Sequence, residues 1–278
     1  TAGDLEAEPP IVDSVVDAPS SSDVIKSRIA NFDGDPYPDL AVLHLNGTLT
    51  KMAGDGLGGF ERRVRITLAP GTEGSPSDLV VADFNNDGLD DAVASFPTED
   101  LLAIVLSEPN SPDTYFSDDS TTRAFGVNGG PTALAAGRFR RFNVPADEDF
   151  DLAVAATTDN TVWLLDGDSQ GGFVNRGSFA DLLGPVALAA GDMDGDGVDD
   201  LAVATRGNGD NVGPAASVLL PSLFFDDEVP TVRGGSAPAG VTPSGVTIAD
   251  FNNDGRNDVA VVSAGLVIVG DDVDVAGD

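Results

Sequence analysis

Short apolar runs recur along the chain, and turn-forming residues flank each of them. One set leads into Asp-rich segments, at residues 79–82, 134–136, 187–190 and 246–249. A second set leaves those segments, at residues 40–43, 92–94, 152–155, 201–204 and 259–262. A third set follows at residues 101–106, 161–165 and 266–269. Runs this short, rich in β-branched residues and bounded by turn signals, predict strands.

The pattern is periodic. The Asp-rich segments open at residues 31, 83, 138, 192 and 250, so they are spaced by 52, 55, 54 and 58 residues. Four of the openings have a proline seven residues earlier, at Pro76, Pro131, Pro185 and Pro243. Gly-Gly-Phe segments at 58–60 and 171–173 mark the turn toward a fourth strand. Four strands in about 55 residues, repeated, are typical of β-propeller blades.

The repeats predict an all-β fold in which residues 11–278 form a single β-propeller domain after a flexible tail at residues 1–10. We expect five four-stranded blades. The apolar pairs at 11–12 and 15–16 are predicted to supply the outer strand of the last blade, which closes the ring and removes its exposed edges. The alternative is a fragment of a larger propeller with seven or eight blades.

The Asp-rich segments predict calcium loops. We number them loop 1 (31–39), loop 2 (83–91), loop 3 (138–151), loop 4 (192–200) and loop 5 (250–258), and we count positions within each nine-residue loop from 1 to 9. Loop 4 has carboxylates at positions 1, 3, 5 and 9, which repel one another unless a cation gathers their oxygens. A hard cation with six to eight oxygen ligands is calcium. Gly197 at position 6 permits the positive φ that the turn needs.

The predicted ligands are the side chains at positions 1, 3, 5 and 9 and the carbonyl at position 7. They are Asn31, Asp33, Asp35, Tyr37 and Asp39 in loop 1, and Asp83, Asn85, Asp87, Leu89 and Asp91 in loop 2. They are Asp192, Asp194, Asp196, Val198 and Asp200 in loop 4, and Asp250, Asn252, Asp254, Arg256 and Asp258 in loop 5. We expect three or four Ca²⁺ ions, with loop 4 the best site. Loop 1 ranks lowest because Asn31 is neutral and Pro36 replaces the glycine.

These loops differ from the EF-hand, which closes with an acid at position 12. Position 12 here is Val42, Ala94, Val203 or Val261, each inside an outgoing strand. The sequence therefore predicts β-hairpin loops. The alternative is a set of hairpin turns, rich in Asp and Gly, that bind no metal.

Loop 3 has lost the pattern. It is longer, and Arg138 stands where the first ligand should be. We expect no calcium there. Instead, Arg138, Arg140 or Arg141 would pair with an acid of the same loop, namely Asp147, Asp149 or Asp151. The alternative is functional drift toward a partner.

The composition of the chain restricts the classes of partner and of metal site that are expected. The formal net charge is −33, which disfavours nucleic acid and anionic membranes because both repel an acidic surface. The chain has no cysteine, so disulfides and thiolate metal sites are excluded. No apolar run approaches the ~18 residues of a membrane helix. Loops that bind calcium at extracellular concentrations favour an exported protein, whether secreted, periplasmic or on the cell surface.

Catalytic signals are weak. His44 is the only histidine, and we interpret it as a chance surface or strand-end residue. The segment 54–59 matches G-x-G-x-x-G, but no helix pattern follows, so a turn between strands explains it better than a dinucleotide site. Neither G-x-S-x-G nor H-E-x-x-H occurs. Trp163 lies in a predicted strand and is expected to be packed.

The run from Gly171 through Pro185 to Gly197 resembles the FG-GAP/VCBS repeats, which are also found in integrin α-chains. The likeness extends over nearly the whole chain. It implies a calcium-bound propeller, usually outside the cell, that acts as a binding or adhesion scaffold. The family's metal ligands carry over to loops 1, 2, 4 and 5 and not to Arg138.

The sequence thus predicts a non-catalytic, calcium-stabilised extracellular scaffold for a protein partner. A lectin-like sugar-binding propeller is the first alternative, although one Trp and two Tyr give it few aromatic platforms. A polysaccharide-active enzyme is the second, because paired acids for glycoside hydrolysis are plentiful.

Overall fold

The structure of the chain is a computed structural model. It describes residues 23–68, 74–107, 122–139, 149–193, 195, 197–207, 215–219, 237–238, 243–263 and 266–270. The predicted tail at 1–10 and the predicted closing segment at 11–16 lie outside these ranges. Within them, no helix is both long and apolar enough to cross a membrane.

The strands form five antiparallel sheets, each made of strands that are consecutive in the sequence. Sheet 1 contains β1 (Val24–Ala30), β2 (Asp39–His44), β3 (Thr48–Gly54) and β4 (Phe60–Thr67). Sheet 2 contains β5 (Leu79–Ala82), β6 (Asp91–Phe96), β7 (Leu101–Val105) and β8 (Thr122–Gly126). Sheet 3 contains β9 (Pro131–Gly137), β10 (Asp151–Ala156), β11 (Thr161–Gly167) and β12 (Phe173–Phe179). Sheet 4 contains β13 (Pro185–Gly191), β14 (Asp200–Thr205), β15 (Ala215–Leu219) and β16 (Ala237–Pro238). Sheet 5 contains β17 (Pro243–Ala249), β18 (Asp258–Ser263) and β19 (Leu266–Gly270). The predicted all-β class is confirmed.

Each loop joins the first two strands of its sheet, so all five loops are hairpin connections. The residue at position 9 opens the second strand and pairs with the last residue of the first, as Ala30 does with Asp39 and Ala82 with Asp91. Loop 3 keeps this arrangement despite its length, because Gly137 pairs with Asp151. The five loops therefore occupy the same end of their respective sheets.

The core lies between consecutive sheets. The first strands of neighbouring sheets contact each other, β1 with β5, β5 with β9, β9 with β13 and β13 with β17. Every residue of β6, β10 and β14 is buried, because these second strands face an apolar cluster on each side. Burial on both faces explains why their sequences are nearly continuous apolar runs. Stacked four-stranded sheets of this kind are consistent with a β-propeller.

The two ends of the stack differ from its interior. Phe32, Phe84 and Phe139, at position 2 of the first three loops, are buried beneath the following sheet. Phe251 stands at position 2 of loop 5 and is 49% exposed. At the other end Ile29 of β1 is 63% exposed. Sheet 1 and sheet 5 thus each present one apolar face that has no neighbouring sheet in the part of the chain described by the structure.

The two Gly-Gly-Phe hairpins show the same contrast. In sheet 3, the amide of Gly171 donates to the carbonyl of Phe84 over 3.2 Å, and a Cβ on Gly171 would lie 2.3 Å from Leu106 of sheet 2. In sheet 1, Gly58 stands at the equivalent place and has no heavy atom within 4 Å of such a Cβ. Gly171 must therefore be glycine to let sheet 3 dock on sheet 2, while Gly58 faces open space.

Candidate metal centres

Position 9 is a buried carboxylate in every repeat, and it fastens the loop to its own sheet. Its Oδ2 accepts the backbone amide of position 2, at 2.7 Å for Asp39 and 3.0 Å for Asp91. In loops 1 and 2, its Oδ1 also accepts an amide from the end of the third strand, as Asp39 does from Gly54 over 2.9 Å and Asp91 from Ser107 over 2.7 Å. We call this arrangement the position-9 clamp.

Loop 3 retains the clamp although it lacks the other predicted ligands. Its last residue, Asp151, takes the place of position 9. Asp151 accepts the amide of Phe139 over 3.1 Å and that of Gly167 over 3.0 Å. In loops 4 and 5, Asp200 and Asp258 likewise accept the amide of position 2. Position 9 therefore has a structural role in all five repeats, which the sequence interpretation as a metal ligand did not include. A carboxylate has about four lone-pair sites, so the two roles are compatible.

Burial of the clamp carries an electrostatic cost. Desolvation raises the pKa of Asp91 to about 7, against the hydrogen bonds from Ser107 and Phe84, which lower it. Desolvation also raises the pKa of Asp39, and the charges of Asp33 and Asp35 add to that rise. A cation bound in either loop would favour the ionised carboxylates.

Loops 2 and 5 have the same internal geometry. The amide of Asp87 donates to Oδ1 of Asp83 over 3.1 Å and to Oδ1 of Asn85 over 3.0 Å, so the oxygens of positions 1 and 3 converge on one backbone nitrogen. The amide of Gly88 donates to the other oxygen of Asp83 over 2.8 Å. In loop 5 the corresponding distances are 3.1, 2.8 and 2.9 Å, with Asp250, Asn252, Asp254 and Gly255 as the partners.

Position 4 is a second conformational requirement, which the sequence interpretation missed. Asn86 and Asn253 have φ of 58° and 61°, and Gly34 and Gly195 have φ of 78° and 79°. Gly and Asn are the residues that most readily adopt this left-handed conformation. The signal was present in the sequence, because each of the four loops with the ligand pattern has Gly or Asn at position 4. The glycines at position 6, which include Gly88 and Gly197, have the predicted positive φ.

Loop 1 has a different hydrogen-bond pattern from loops 2 and 5, and it shares the bond from position 4 to position 1 with loop 4. Oδ1 of Asn31 accepts the amide of Gly34 at position 4 over 2.9 Å, in contrast to the bonds to positions 5 and 6 in loop 2. Asp33 accepts the amide of Asp35 over 3.1 Å, and Asp35 accepts that of Tyr37 over 2.8 Å. The oxygens of positions 1 and 3 are thus bound to different amides and do not share one nitrogen.

Loop 4 is described in part. Asp192 accepts the amides of Gly195 over 2.7 Å and Gly197 over 3.0 Å, and Val198 is buried. Asp194 and Asp196, the predicted ligands at positions 3 and 5, lie outside the described residues.

The ligand atom types suit calcium, although the side chains are not close enough together to form a complete coordination site. Positions 1, 3, 5 and 7 offer only carboxylate, amide and carbonyl oxygens, which a hard cation prefers. Among the described residues, no group of three or more His, Cys, Asp or Glu side chains is close enough to hold a metal ion. In loops 2 and 5, the neutral Asn at position 3 donates to the acid at position 5 over 3.0 Å in each case. Calcium binding would replace this contact with ligation by the amide oxygen.

Arg138 of loop 3 is held by loop 4 and by an aromatic ring. Its amide donates to Oδ2 of Asp199 over 2.8 Å, and its guanidinium lies 4.4 Å from the ring centroid of Phe150. Asp149 accepts hydrogen bonds from Ser169 and from Asn86 of loop 2. Arg140, Arg141 and Asp147 lie outside the described residues, so the internal ion pair remains a prediction.

Neighbouring loops are hydrogen-bonded through position 8. Asp90 of loop 2 accepts the amide of Asn31 over 2.7 Å and donates its own amide to the carbonyl of Asn31 over 2.8 Å. Asp199 of loop 4 makes the same two bonds to Arg138, at 2.8 and 2.9 Å. Asn257 of loop 5 donates to the carbonyl of Asp192 over 2.7 Å. Position 8 of one loop thus binds the main chain of position 1 in the preceding loop.

A buried lysine lies beneath loops 1 and 2. Lys51 of β3 is fully buried; its ammonium donates to Oγ of Ser107 over 2.8 Å and lies 4.3 Å from the ring centroid of Phe32. Burial lowers the pKa of Lys51 to about 8, while the nearby charges of Asp91 and Asp39 oppose that shift. No pattern in the sequence pointed to this group, because its burial arises from packing between two sheets.

The candidate catalytic features are structural. His44 is buried, its Nε2 lies 2.8 Å from Oγ1 of Thr50, and burial lowers its pKa. The G-x-G-x-x-G segment is the turn between β3 and β4, with the amide of Asp55 donating to the carbonyl of Gly59 over 3.1 Å. Trp163 packs against the apolar cluster between sheets 2 and 3. The interpretations of the turn and of Trp163 are confirmed. His44 ends β2 as expected, but it is buried and is not a surface residue.

A family model described as the FG-GAP-like repeat matches residues 31–94 and 145–203. These two segments are similar to FG-GAP-like repeats, and loop 5 lies outside both of them. The first match runs from loop 1 through loop 2, and the second begins after Arg138 and includes loop 4. The predicted resemblance to the FG-GAP/VCBS family is therefore confirmed. No curated protein matches the sequence significantly.

The FG-GAP-like repeats also have a structural counterpart. A crystal structure of BBS1N in complex with ARL6DN, soaked with lead, matches with a TM-score of 0.55 at 11% sequence identity. The match covers 88% of this chain and 61% of that one, so this chain spans about three fifths of its length. At this identity the likeness concerns the fold alone.

Proposed function

We propose that the protein is a non-catalytic, calcium-stabilised extracellular scaffold that presents its loops to a protein partner. The observation that carries the proposal is the shared geometry of loops 2 and 5, where the oxygens of positions 1 and 3 converge on one amide. Two loops 167 residues apart adopt this arrangement with the same ligand types. Hairpin turns with no further role would not need the same acidic residues at the same positions.

Calcium would be held by positions 1, 3, 5, 7 and 9 of loops 1, 2, 4 and 5. The ion would neutralise carboxylates that otherwise repel one another at the end of each sheet. The protein's own contribution is to hold the loop in a turned conformation through the positive φ at positions 4 and 6. The position-9 clamp fixes where the loop leaves the sheet. Because the ion binds only the folded state, it adds to stability by mass action.

We further propose that the five sheets close into a five-bladed ring with sheet 1 following sheet 5. The support is that the two end faces match the two sides of an interior contact between sheets. Phe251 of sheet 5 is exposed, whereas its equivalent Phe84 is covered by sheet 3. Gly58 of sheet 1 faces open space, whereas its equivalent Gly171 packs against sheet 2. Phe60 would approach Phe251 as Phe173 approaches Phe84, whose ring centroid is 5.3 Å away. A strand from residues 11–16 would complete sheet 5. In a larger propeller, further blades would stand between the same two faces.

A protein partner is supported by the fold and by the charge. The structure with the matching fold was solved as a complex of BBS1N with the protein ARL6DN. The chain carries 47 acidic and 14 basic residues, so its surface suits a basic partner protein better than a nucleic acid. Loops that bind calcium at extracellular concentrations would be in line with a location outside the cell or in the periplasm.

The proposal is tested by counting metal ions on the purified protein and by thermal unfolding in millimolar calcium and in excess chelator. We expect three or four calcium ions per chain and a clear fall in Tm on chelation. No bound calcium together with an unchanged Tm would refute the calcium account and leave the Asp-rich loops as plain turns. Degradation of a polysaccharide by the pure protein would instead refute the non-catalytic role.

A further inference from the structure

The loops are connected in series by side chains that are not predicted ligands. Asp90, at position 8 of loop 2, makes two hydrogen bonds to Asn31, the first residue of loop 1. Its carboxylate accepts the N–H of Asn31, and its own N–H donates to the C=O of Asn31. The next residue, Asp91, is fixed by the position-9 clamp to the amides of Phe84 and Ser107. The main chain of Asn31 is therefore positioned by the end of loop 2 and, through it, by sheet 2.

Sheets 1 and 2 are also connected beneath this pair of loops. Oγ of Ser107 donates to the carbonyl of Asp90 over 2.6 Å and accepts from the ammonium of Lys51 over 2.8 Å. Lys51 belongs to sheet 1, whereas Ser107 and Asp90 belong to sheet 2. A displacement of loop 2 would therefore move groups in both sheets.

Loop 1 has most need of this support. Its first ligand, Asn31, is neutral, and Pro36 provides neither an amide nor a positive φ at position 6. Oδ1 of Asn31 makes one bond within the loop, to Gly34, whereas both oxygens of Asp83 are bound by amides of loop 2. Loop 1 is thus less fixed by its own residues, and its first residue is fixed by Asp90.

We propose that Asp90 couples the two loops, so that calcium in loop 2 strengthens calcium binding in loop 1. The inference rests on the proposed calcium function and adds a positioning role for a residue that is not a ligand. An ion in loop 2 would hold positions 1 to 7 in one conformation and hence restrict position 8. Asp90 would then present the Asn31 main chain in the conformation that binds the second ion.

The chain offers a site-specific readout of loop 1. It has two tyrosines, Tyr37 at position 7 of loop 1 and Tyr115. Protein labelled with 3-fluorotyrosine would give two ¹⁹F signals, and Tyr115→Phe would assign them. Calcium alone is the titrant, and the midpoint of the Tyr37 signal reports loop 1. The methyl signal of Met193, at position 2 of loop 4, serves as an internal control because Asp90 does not contact that loop.

The experiment is a double-mutant cycle on the Tyr37 midpoint. Asp87→Ala removes a ligand from loop 2, and Asp90→Ala removes the side-chain link. We expect each to raise the midpoint by about fivefold, the lower end of usual coupling factors, and the double variant to raise it no further. Asp90→Asn is the matched control, because it removes the charge yet keeps an oxygen for the Asn31 amide, and we expect a midpoint close to that of the unmodified protein.

The outcomes separate the coupling from the calcium function. If Tyr37 responds to calcium at the same midpoint in all variants, the coupling is wrong while calcium binding stands. If Asp90→Asn shifts the midpoint as much as Asp90→Ala, the effect is due to charge, and the positioning role is wrong. If neither Tyr37 nor Met193 responds to millimolar calcium, the proposed function itself fails.

Discussion

Loop 2 and loop 3 share the carboxylate that ends them and differ in the residues that begin them. Asp91 and Asp151 open equivalent strands and bind equivalent backbone amides. Asp83 accepts two amides of its own loop, whereas Arg138 stands over Phe150 and binds Asp199 of the next loop. The comparison separates two roles within one motif: the carboxylate that ends the loop fastens it to the sheet, and positions 1, 3 and 5 serve only the ion that we propose.

The largest expected effect is from Asp151→Ala. It leaves the amides of Phe139 and Gly167 without their acceptor, and unmade buried hydrogen bonds cost about 1–3 kcal/mol each, so we expect a loss of roughly 3 kcal/mol. The loss should be equal in calcium and in chelator, as measured by urea unfolding. Asp159→Ala, at an exposed acid of the same sheet, should change stability by no more than about 0.5 kcal/mol. A loss confined to calcium would show that Asp151 is a metal ligand.

Asp83→Asn, in contrast, should destabilise the protein mainly when calcium is present. It removes one charge from the proposed site in loop 2 and keeps the side-chain shape. Loss of one ion would cost up to about 2.7 kcal/mol when calcium is a hundredfold above Kd. In chelator, only the exposed hydrogen bond from the Gly88 amide is lost, at about 0.5–1.5 kcal/mol. Urea unfolding in both conditions, with a metal count, measures this. An equal loss in chelator would mean that Asp83 stabilises the loop through its amide bonds alone.

Lys51 distinguishes the surroundings of the two carboxylates. Lys51 of sheet 1 lies near Asp91 of sheet 2. The residue at the same register position of sheet 2 is Ile104, which packs in the apolar cluster between sheets 2 and 3. The pKa of Lys51 is about 8 in the folded protein against an ordinary value of 10.5, so the unfolded chain binds more protons between these values. Stability should therefore rise with pH across this window, by up to about 1.4 kcal/mol per pH unit.

Lys51→Met should remove the contribution of Lys51 to the increase in stability with pH. The measurement is urea unfolding from pH 7 to 10.5 in chelator, with the difference between the two proteins as the readout. Parallel curves for both proteins would show that Lys51 has its ordinary pKa.

The smallest expected effect is from Arg138→Asp, which restores the acid at position 1 of loop 3. We expect no additional calcium ion, because loop 3 spans 14 residues and its first residue remains bonded to Asp199. A metal count on the variant decides this. One extra ion would show that Arg138 alone prevents binding.

The sequence predicted the parts of the fold that depend on local patterns. The apolar runs indicated the second strand of every sheet and most of the first and third strands, since hairpins between consecutive strands require only short-range information. They did not indicate β1, β3 or β15. Asp151 could also have been recognised as structural, because an acid persists at position 9 in a loop that has lost its other ligands. Lys51 and Asp90 could not be assigned in this way. Their surroundings come from a neighbouring sheet, and a single Lys in a strand or a single Asp in a loop is usually solvent-exposed.

The position-9 clamp has a consequence for how such a chain can change over evolutionary time. Because one carboxylate per repeat keeps the hairpin attached without an ion, substitutions at positions 1, 3 and 5 need not unfold the repeat. A loop that has lost its ligands is then free to lengthen and to acquire basic residues, as the fourteen residues that open with Arg138 have done. Asp151 is thus what allows one repeat to diverge in chemistry while its neighbours keep theirs.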